Sequence, residues 1–493
     1  MQIIIRKEKI KTISIVVLVF TTILLLYFLW NARSEKKNYF NFNITNVEEK
    51  EEGIKGKDFL EPFRLRVNFG GNKYTVLYSG FDNVWYSFID AYRSAFDGEI
   101  FVKEISKGNW DEILKGRSVK FDLGNNIPYA AMREVMGINN TIADEVIGNY
   151  SAAAYSEVSP DSFFIYDKKK DKYFMIVSEK KQNNEILNEL DELEKRDFDI
   201  YDTITALFGA QNDILIPTVL KNNIQKISGD QEIQVFEQEK IKVLAERFFG
   251  DNFDFIRKIE ETNGTVIYMY GYGQKMLLID RKGFIEYKEV LNTDRYTAVN
   301  YTDALEIAVS FVTQHGSWKT LNGTNIYPYL KESVNIEEAN RKGYKFTFGY
   351  RINGYPVYYQ EGEAIEIKVV GNQITYYKRY LLNQKDTLQY FSNDSGDSTR
   401  NILSAKNILT NNYEYIKEKY VQENGYNFGN NKEEVFNRIV SMINMVDVGY
   451  FSLDRKKPDE EIQLIPAWIF MTDKYVFLFN AQTGESLGSK PIR

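Results

Sequence analysis

The sequence predicts an α+β protein behind a single apolar N-terminal run, and three observations carry that fold class. Phe63, Leu65, Val67 and Phe69 alternate with polar residues at strand period, whereas Trp85, Phe88, Ile89, Tyr92 and Phe96 follow helical spacing. Strands and helices then mix without a regular β-α-β alternation, which argues against a doubly wound parallel sheet. From about Ser228 onward, a helix followed by an antiparallel meander recurs at an offset of 90 or 89 residues.

The first element is Thr12 to Trp30, 19 residues without charge, Gly or Pro. As a helix it spans about 28 Å, the thickness of a bilayer core. Tyr27 and Trp30 sit where interfacial aromatics are expected. A cleaved signal peptide has a shorter apolar core and a small-residue cleavage site, and Asn31-Ala32-Arg33-Ser34 is a poor one. The run therefore reads as an uncleaved anchor crossing the cell membrane once. Four basic residues precede it (Arg6, Lys7, Lys9, Lys11) and three follow (Arg33, Lys36, Lys37), which puts the N-terminus in the cytoplasm and the bulk of the chain outside. Ser14, Leu18, Thr21 and Leu25 form one stripe of this helix. The stripe either hydrogen-bonds a neighbouring transmembrane helix or faces lipid with its hydroxyls bonded to its own carbonyls.

The expected order is a cytoplasmic tail (1–11), the transmembrane helix (12–30), a linker (31–60), an N-terminal α+β domain (61–200), a middle helix-plus-meander domain (201–298) and a C-terminal one (299–493). Glu48 to Gly53 reads as part of a solvated stalk. In the N-terminal domain, short helices are expected around Trp110 and after Pro128. A hairpin is expected around Asp167 to Asp171, then a helix from Asn184 to Lys195. In the repeat, helix Glu239–Phe249 corresponds to Thr302–Gln314, which Thr302 is expected to cap. Asn263-Gly264 corresponds to Asn353-Gly354, each a hairpin signal. A last helix, Ile402–Tyr420, and three strands close the chain.

Composition narrows the chemistry. With 0 Cys there is no disulfide, thiolate metal site or Cys nucleophile. Heavy Lys, Asn and Ile usage without disulfides suits the outer face of a Gram-positive-type bacterium. A net charge of −7 without a basic patch argues against nucleic-acid binding. The one histidine, His315, ends a predicted helix and reads as a C-terminal capping cation. Gly271-Tyr272-Gly273 lacks the third glycine of a dinucleotide fingerprint. Asp167 to Asp171 and Asn393 to Asp397 lack the Gly and Glu of a calcium loop and read as solvated loops. Glu361 with Glu363, and Asp251 with Asp254, are the carboxylate pairs a glycosidase would need. Tyr355, Tyr358, Tyr359, Tyr376 and Tyr377 either line an interface or pack across a sheet. No catalytic, metal or cofactor residue is expected.

The single anchor, RLRVNFGGNKYTVLYSGFDNVW, the element at Trp110 and KFDLGNNIP resemble the N-terminal part of the YycH family. INGYPVYY and the closing PAWIFMTDKYVFLFNAQTGE are similar to the C-terminal half that this family shares with its companion YycI. The resemblance implies a non-enzymatic regulator on the outer face of the membrane. Its partners would be a sensor histidine kinase of YycG (WalK) type and a YycI-like protein, in control of cell-wall homeostasis. An anchored wall-binding module or peptidoglycan hydrolase is the other expectation.

Overall fold

The chain divides into two units, Met1–Lys50 and Glu51–Arg493. The structure, a computed structural model, describes residues 54–492 except 181–184, 211–213, 221–223, 320–325, 361, 385–401 and 454–461. All described residues belong to the second unit, and the apolar run 12–30, its stripe, the stalk and the 393–398 loop lie outside them. Among the described residues no helix is long and apolar enough to cross a membrane. The fold is α+β, with almost wholly antiparallel sheets.

The N-terminal half builds one antiparallel sheet. Its strands are β1 (Arg64–Asn68), β2 (Tyr74–Leu77), β3 (Ile100–Ile105), β4 (Ser118–Pro128), β5 (Asn149–Ser156), β6 (Ser162–Asp167), β7 (Lys172–Ser178), β8 (Ile200–Thr203) and β9 (Leu215–Val219). They are ordered β3-β7-β6-β5-β4-β1-β2-β8-β9. Helix α1 (Asp82–Ala95) turns Trp85, Phe88 and Tyr92 onto one face of the sheet, with Phe88 4.8 Å from Phe121 and 5.5 Å from Phe163. Each such ring buried contributes about 1.5–3 kcal/mol. On the opposite face lies α2 (Lys107–Leu114), started by Ser106 Oγ accepting from the Asn109 N–H at 3.2 Å. Its Trp110 packs 5.3 Å from Tyr173. The helices α3 (Tyr129–Val135), α4 (Glu185–Glu194) and α5 (Ile204–Phe208) complete this half.

The other half begins with β10 (Ile227–Gln231). Helix α6 (Gln238–Phe249) then precedes a four-strand meander of β11 (Arg257–Glu260), β12 (Val266–Tyr270), β13 (Lys275–Ile279) and β14 (Ile285–Glu289). Helix α7 (Tyr301–Gln314) precedes β15 (Tyr327–Glu338), β16 (Arg341–Ile352), β17 (Tyr355–Tyr359), β18 (Ile365–Val370), β19 (Gln373–Arg379) and β20 (Leu382–Gln384). The two meanders join by their last strands, with Tyr287 opposite Tyr377. Helices α8 (Ala405–Asn424) and α9 (Lys432–Met442) then cover the antiparallel run β21 (Met445–Ser452), β22 (Ile462–Met471), β23 (Tyr475–Asn480) and β24 (Ser486–Pro491).

Three local readings are corrected here. The cap of α7 is Asn300, whose Oδ1 accepts from the Asp303 N–H at 2.8 Å, while Thr302 merely donates its hydroxyl to Asn300. The Asn-Gly pairs are not counterparts. At Asn263-Gly264 only the glycine has positive φ, and the Gly264 N–H bonds Glu261 O, so this is a type I turn with a bulge. Asn353 and Gly354 both have positive φ (52° and 84°), the type I′ form. Topology separates them further: β16 pairs directly with β18, and β17 leaves the second meander to pair in parallel with β21. The true partner of the first hairpin is β15–β16, turned by Ala339 and Asn340 at φ 48° and 59°. Sequence similarity at Asn-Gly reports a turn propensity, not an equivalent position. The third correction concerns residues 56–60, expected as linker. They form a 3₁₀ turn whose Phe59 and Leu60 are buried.

Candidate functional site: the entry segment and the seam behind it

The folded unit is entered through residues 54–63, which run between its two halves. Asp58 holds the turn by accepting from the Lys55 N–H at 2.8 Å. The Gly56 N–H donates to Glu306 Oε2 on α7 at 2.6 Å. A Cβ at Gly56 would lie 2.9 Å from the Glu306 backbone nitrogen, so only glycine fits this approach. Phe59 seats its ring 4.6 Å from Trp318 and 4.9 Å from Phe348, and the Trp318 indole N–H donates to Thr313 at 3.0 Å. The segment is thus fixed to the helix and sheet of the second meander. Beside it, an open groove of about 500 Å³ runs along α7 between Asp303, Glu306, Phe311, Asn372 and Ile374.

Glu61 follows. Burial pushes its carboxyl up to about 7, with Asp82 and Asp58 adding to the rise and the Tyr86 hydroxyl at 3.1 Å opposing it. The folded state therefore binds this proton more tightly than the unfolded chain. The stabilisation is complete below about pH 4.5 and is lost as pH rises through about 7. Glu61→Gln should stabilise the protein at pH 8 by on the order of 1 kcal/mol and leave it unchanged at pH 4.5. Thermal unfolding at the two pH values reads this directly, and an equal gain at both would refute it.

Behind Glu61 lies a buried polar seam. The Phe63 carbonyl accepts from Arg351 Nη2, and the Arg351 guanidinium sits 4.3 Å from the Tyr329 ring and 5.5 Å from Tyr78. Asp122 accepts from Arg64 Nε at 2.8 Å and Arg66 Nε at 2.7 Å. Burial alone would raise its carboxyl, but Arg66, Arg64 and Lys120 hold it well below the usual range. Across the seam, Tyr78 donates to Asp447 on β21 at 2.5 Å. Burial raises the Asp447 carboxyl, against the pull of Arg64 and the Tyr78 bond. These groups tie the first sheet to the second through fixed hydrogen bonds, an arrangement that transmits position. Of the Arg351 guanidinium, Nη2 is bonded while Nε is buried without a hydrogen-bond partner among the described residues.

Ser14, Leu18, Thr21 and Leu25 are outside the described residues. His315 does end α7, but burial lowers its pKa, so the ring acts as a neutral group: Nδ1 lies 2.9 Å from Phe311 O and the ring stacks 3.9 Å from Phe311. Asp251 and Asp254 are exposed, Glu363 is paired with Lys331 at 2.7 Å, and Glu361 is outside the described residues. Asp167 is not solvated: it is fully buried, accepting from the backbone N–H groups of Asn149 and Lys170 at 3.0 and 3.2 Å. Tyr359 and Tyr377 are buried and Tyr355, Tyr358 and Tyr376 half-buried, so all five pack within sheets. Among the described residues no cluster of three metal-ligating side chains occurs. The contacts made by Gly56, Glu306, Arg351 and Asp447 were not foreseen. One signal was present: Asp447 interrupts the apolar run Met445 to Phe451.

No known family's model matches the sequence, and no curated protein matches it. Among solved structures, the chain is similar to YycH from Bacillus subtilis, at 10% identity and a TM-score of 0.50, over 90% of this chain and 98% of that one. The YpeB C-terminal domain from Bacillus megaterium aligns at 14% identity with a TM-score of 0.24, over 52% of this chain and 98% of that one. The chain has a YycH-like fold.

Proposed function

We propose that this chain is a membrane-tethered, non-enzymatic regulator of a sensor histidine kinase of YycG (WalK) type, acting through protein contacts made by Thr12–Trp30 and by the extracytoplasmic folded unit. The observation that carries the reading is the YycH-like fold over 90% of the chain, behind one apolar run of bilayer length. The sequence resemblance quoted above points the same way, and a YycI-like companion would share the complex. The entry segment gives the tether a mechanical connection: residues 56–60 are fastened to α7, and the seam behind them ties both sheets. A pull arriving at residue 54 would then act on the folded unit as one body.

The test is to exchange Thr12–Trp30 for an unrelated apolar span and to follow kinase autophosphorylation in cells. Kinase control is expected to weaken several-fold, with the stripe Ser14, Leu18, Thr21 and Leu25 as the first positions to restore. Unchanged phosphorylation would remove transmembrane coupling from the reading. Binding or cleavage of purified peptidoglycan by the protein would instead favour a wall-active module.

A further inference from the structure

The two meanders form eight neighbouring strands of one larger sheet, β11-β12-β13-β14-β19-β18-β16-β15. Register puts several turns at the same end of it. Arg257 pairs with Met269, Tyr270 and Glu289 both pair with Lys275, and Val370 pairs with Gln373. Phe255, the 271–274 loop, Val290 and the Gly371-Asn372 turn therefore share one rim. Three large apolar side chains stand exposed along it: Phe255 at 77%, Tyr272 at 107% and Val290 at 65%. With strands about 4.8 Å apart, the row is about 15 Å wide.

Tyr272 is held outward at a cost. Gly271, Tyr272 and Gly273 have φ of 57°, 55° and 96°, and a tyrosine in the left-handed region is strained. The loop could have carried Asn or Gly there without strain, and no intramolecular packing accounts for a fully exposed ring.

The entry segment runs toward this rim. Phe63 bonds Arg351, and Phe59 packs on Phe348, both at the far end of β16. Gly56 bonds Glu306, which shares its groove with Asn372 of the rim. Each step back toward residue 54 thus approaches the rim. Only residues 31–53 separate Ile54 from Trp30, a tether of at most about 75 Å. Charges beside the row are of both signs, Arg257 and Lys258 with Asp254 and Glu289, so apolar insertion rather than headgroup charge would define the surface.

We infer that the rim carrying Phe255, Tyr272 and Val290 is a lipid-contacting edge, which dips into the interface of the bilayer and holds the folded unit in a fixed orientation on the membrane. This rests on the tethered reading proposed above.

Because the chain has 0 Cys, single probes are clean. Full-length Tyr272→Cys, Val290→Cys and Phe101→Cys, each carrying an environment-sensitive fluorophore, are reconstituted into phosphatidylcholine vesicles with and without a nitroxide-labelled lipid. Phe101, exposed on the outer strand of the other sheet, is the control. Probes at 272 and 290 should be blue-shifted and quenched several-fold more than the probe at 101. Three equally aqueous probes in protein that floats with the vesicles would overturn the inference and leave the tether standing, including the case in which a protein partner covers the rim. Protein that fails to float overturns the tether and the inference with it. Near-UV circular dichroism verifies that each variant is folded.

Discussion

Arg379→Met is expected to lower the free energy of unfolding by about 3–5 kcal/mol. Arg379 is wholly buried at the end of β19. Its Nε donates to Glu232 Oε2 at 2.8 Å and its Nη2 to Glu232 Oε1 at 2.5 Å, a two-pronged pair. The same guanidinium donates to the carbonyls of Ser317, Gly316 and Lys319 at 2.5, 3.0 and 2.6 Å. One side chain thus pins the segment before α6, the loop after α7 and the last strand of the second meander. Removing it takes the two-pronged cation from the buried Glu232 carboxylate and one donor from the buried Gly316 carbonyl and the part-buried carbonyls of Ser317 and Lys319. Urea unfolding followed by the fluorescence of neighbouring Trp318 measures the loss. Arg379→Met combined with Glu232→Leu should recover part of it, because the uncompensated charge is gone. A single-variant loss under about 1 kcal/mol would show that the pair is not a keystone.

Phe59→Ala should cost about 3–5 kcal/mol and, at the same time, unfasten the entry segment. The ring is wedged against Trp318 and Phe348, and the backbone three residues earlier is bonded to Glu306. Faster amide exchange over residues 54–60, with protection kept in β4 and β5, is the expected signature. Glu306→Ala should loosen the same residues to a smaller degree. If the proposed regulator works through this connection, both variants weaken kinase control in proportion to that exchange. A Phe59→Ala protein with full control would break the link between fastening and function.

Much of the fold was legible because local chemistry set it. The Trp85, Phe88 and Tyr92 spacing, the alternation through β1 and the hairpin at Lys168 to Asp171 each fix their element without help from distant residues. What was illegible depends on partners far away in sequence. Arg379 and Glu232 are 147 residues apart, and Gly56 and Glu306 are 250 apart. Arg379 left one trace, since it occupies the inward position of an alternating strand next after Tyr377. The departure of β17 left none, because its own residues read equally well as a meander strand. The cap of α7 was misplaced by two residues for an ordinary reason: Asn300 and Thr302 are both good caps, and backbone geometry chose the first.

The strand that leaves its meander also sets a timetable for synthesis. Val357 of β17 pairs with Tyr450, 93 residues later. A ribosome adding about 5–20 residues per second needs roughly 5–20 s to deliver that partner. During this interval Val357 and its neighbours present a bare strand edge, and β10 keeps one edge bare until β22 is made, since Gly229 pairs with both Gln384 and Ile462. A chaperone that held the chain unfolded until Tyr450 had been made would avoid the hazard, since β17 and β21 would then be present together.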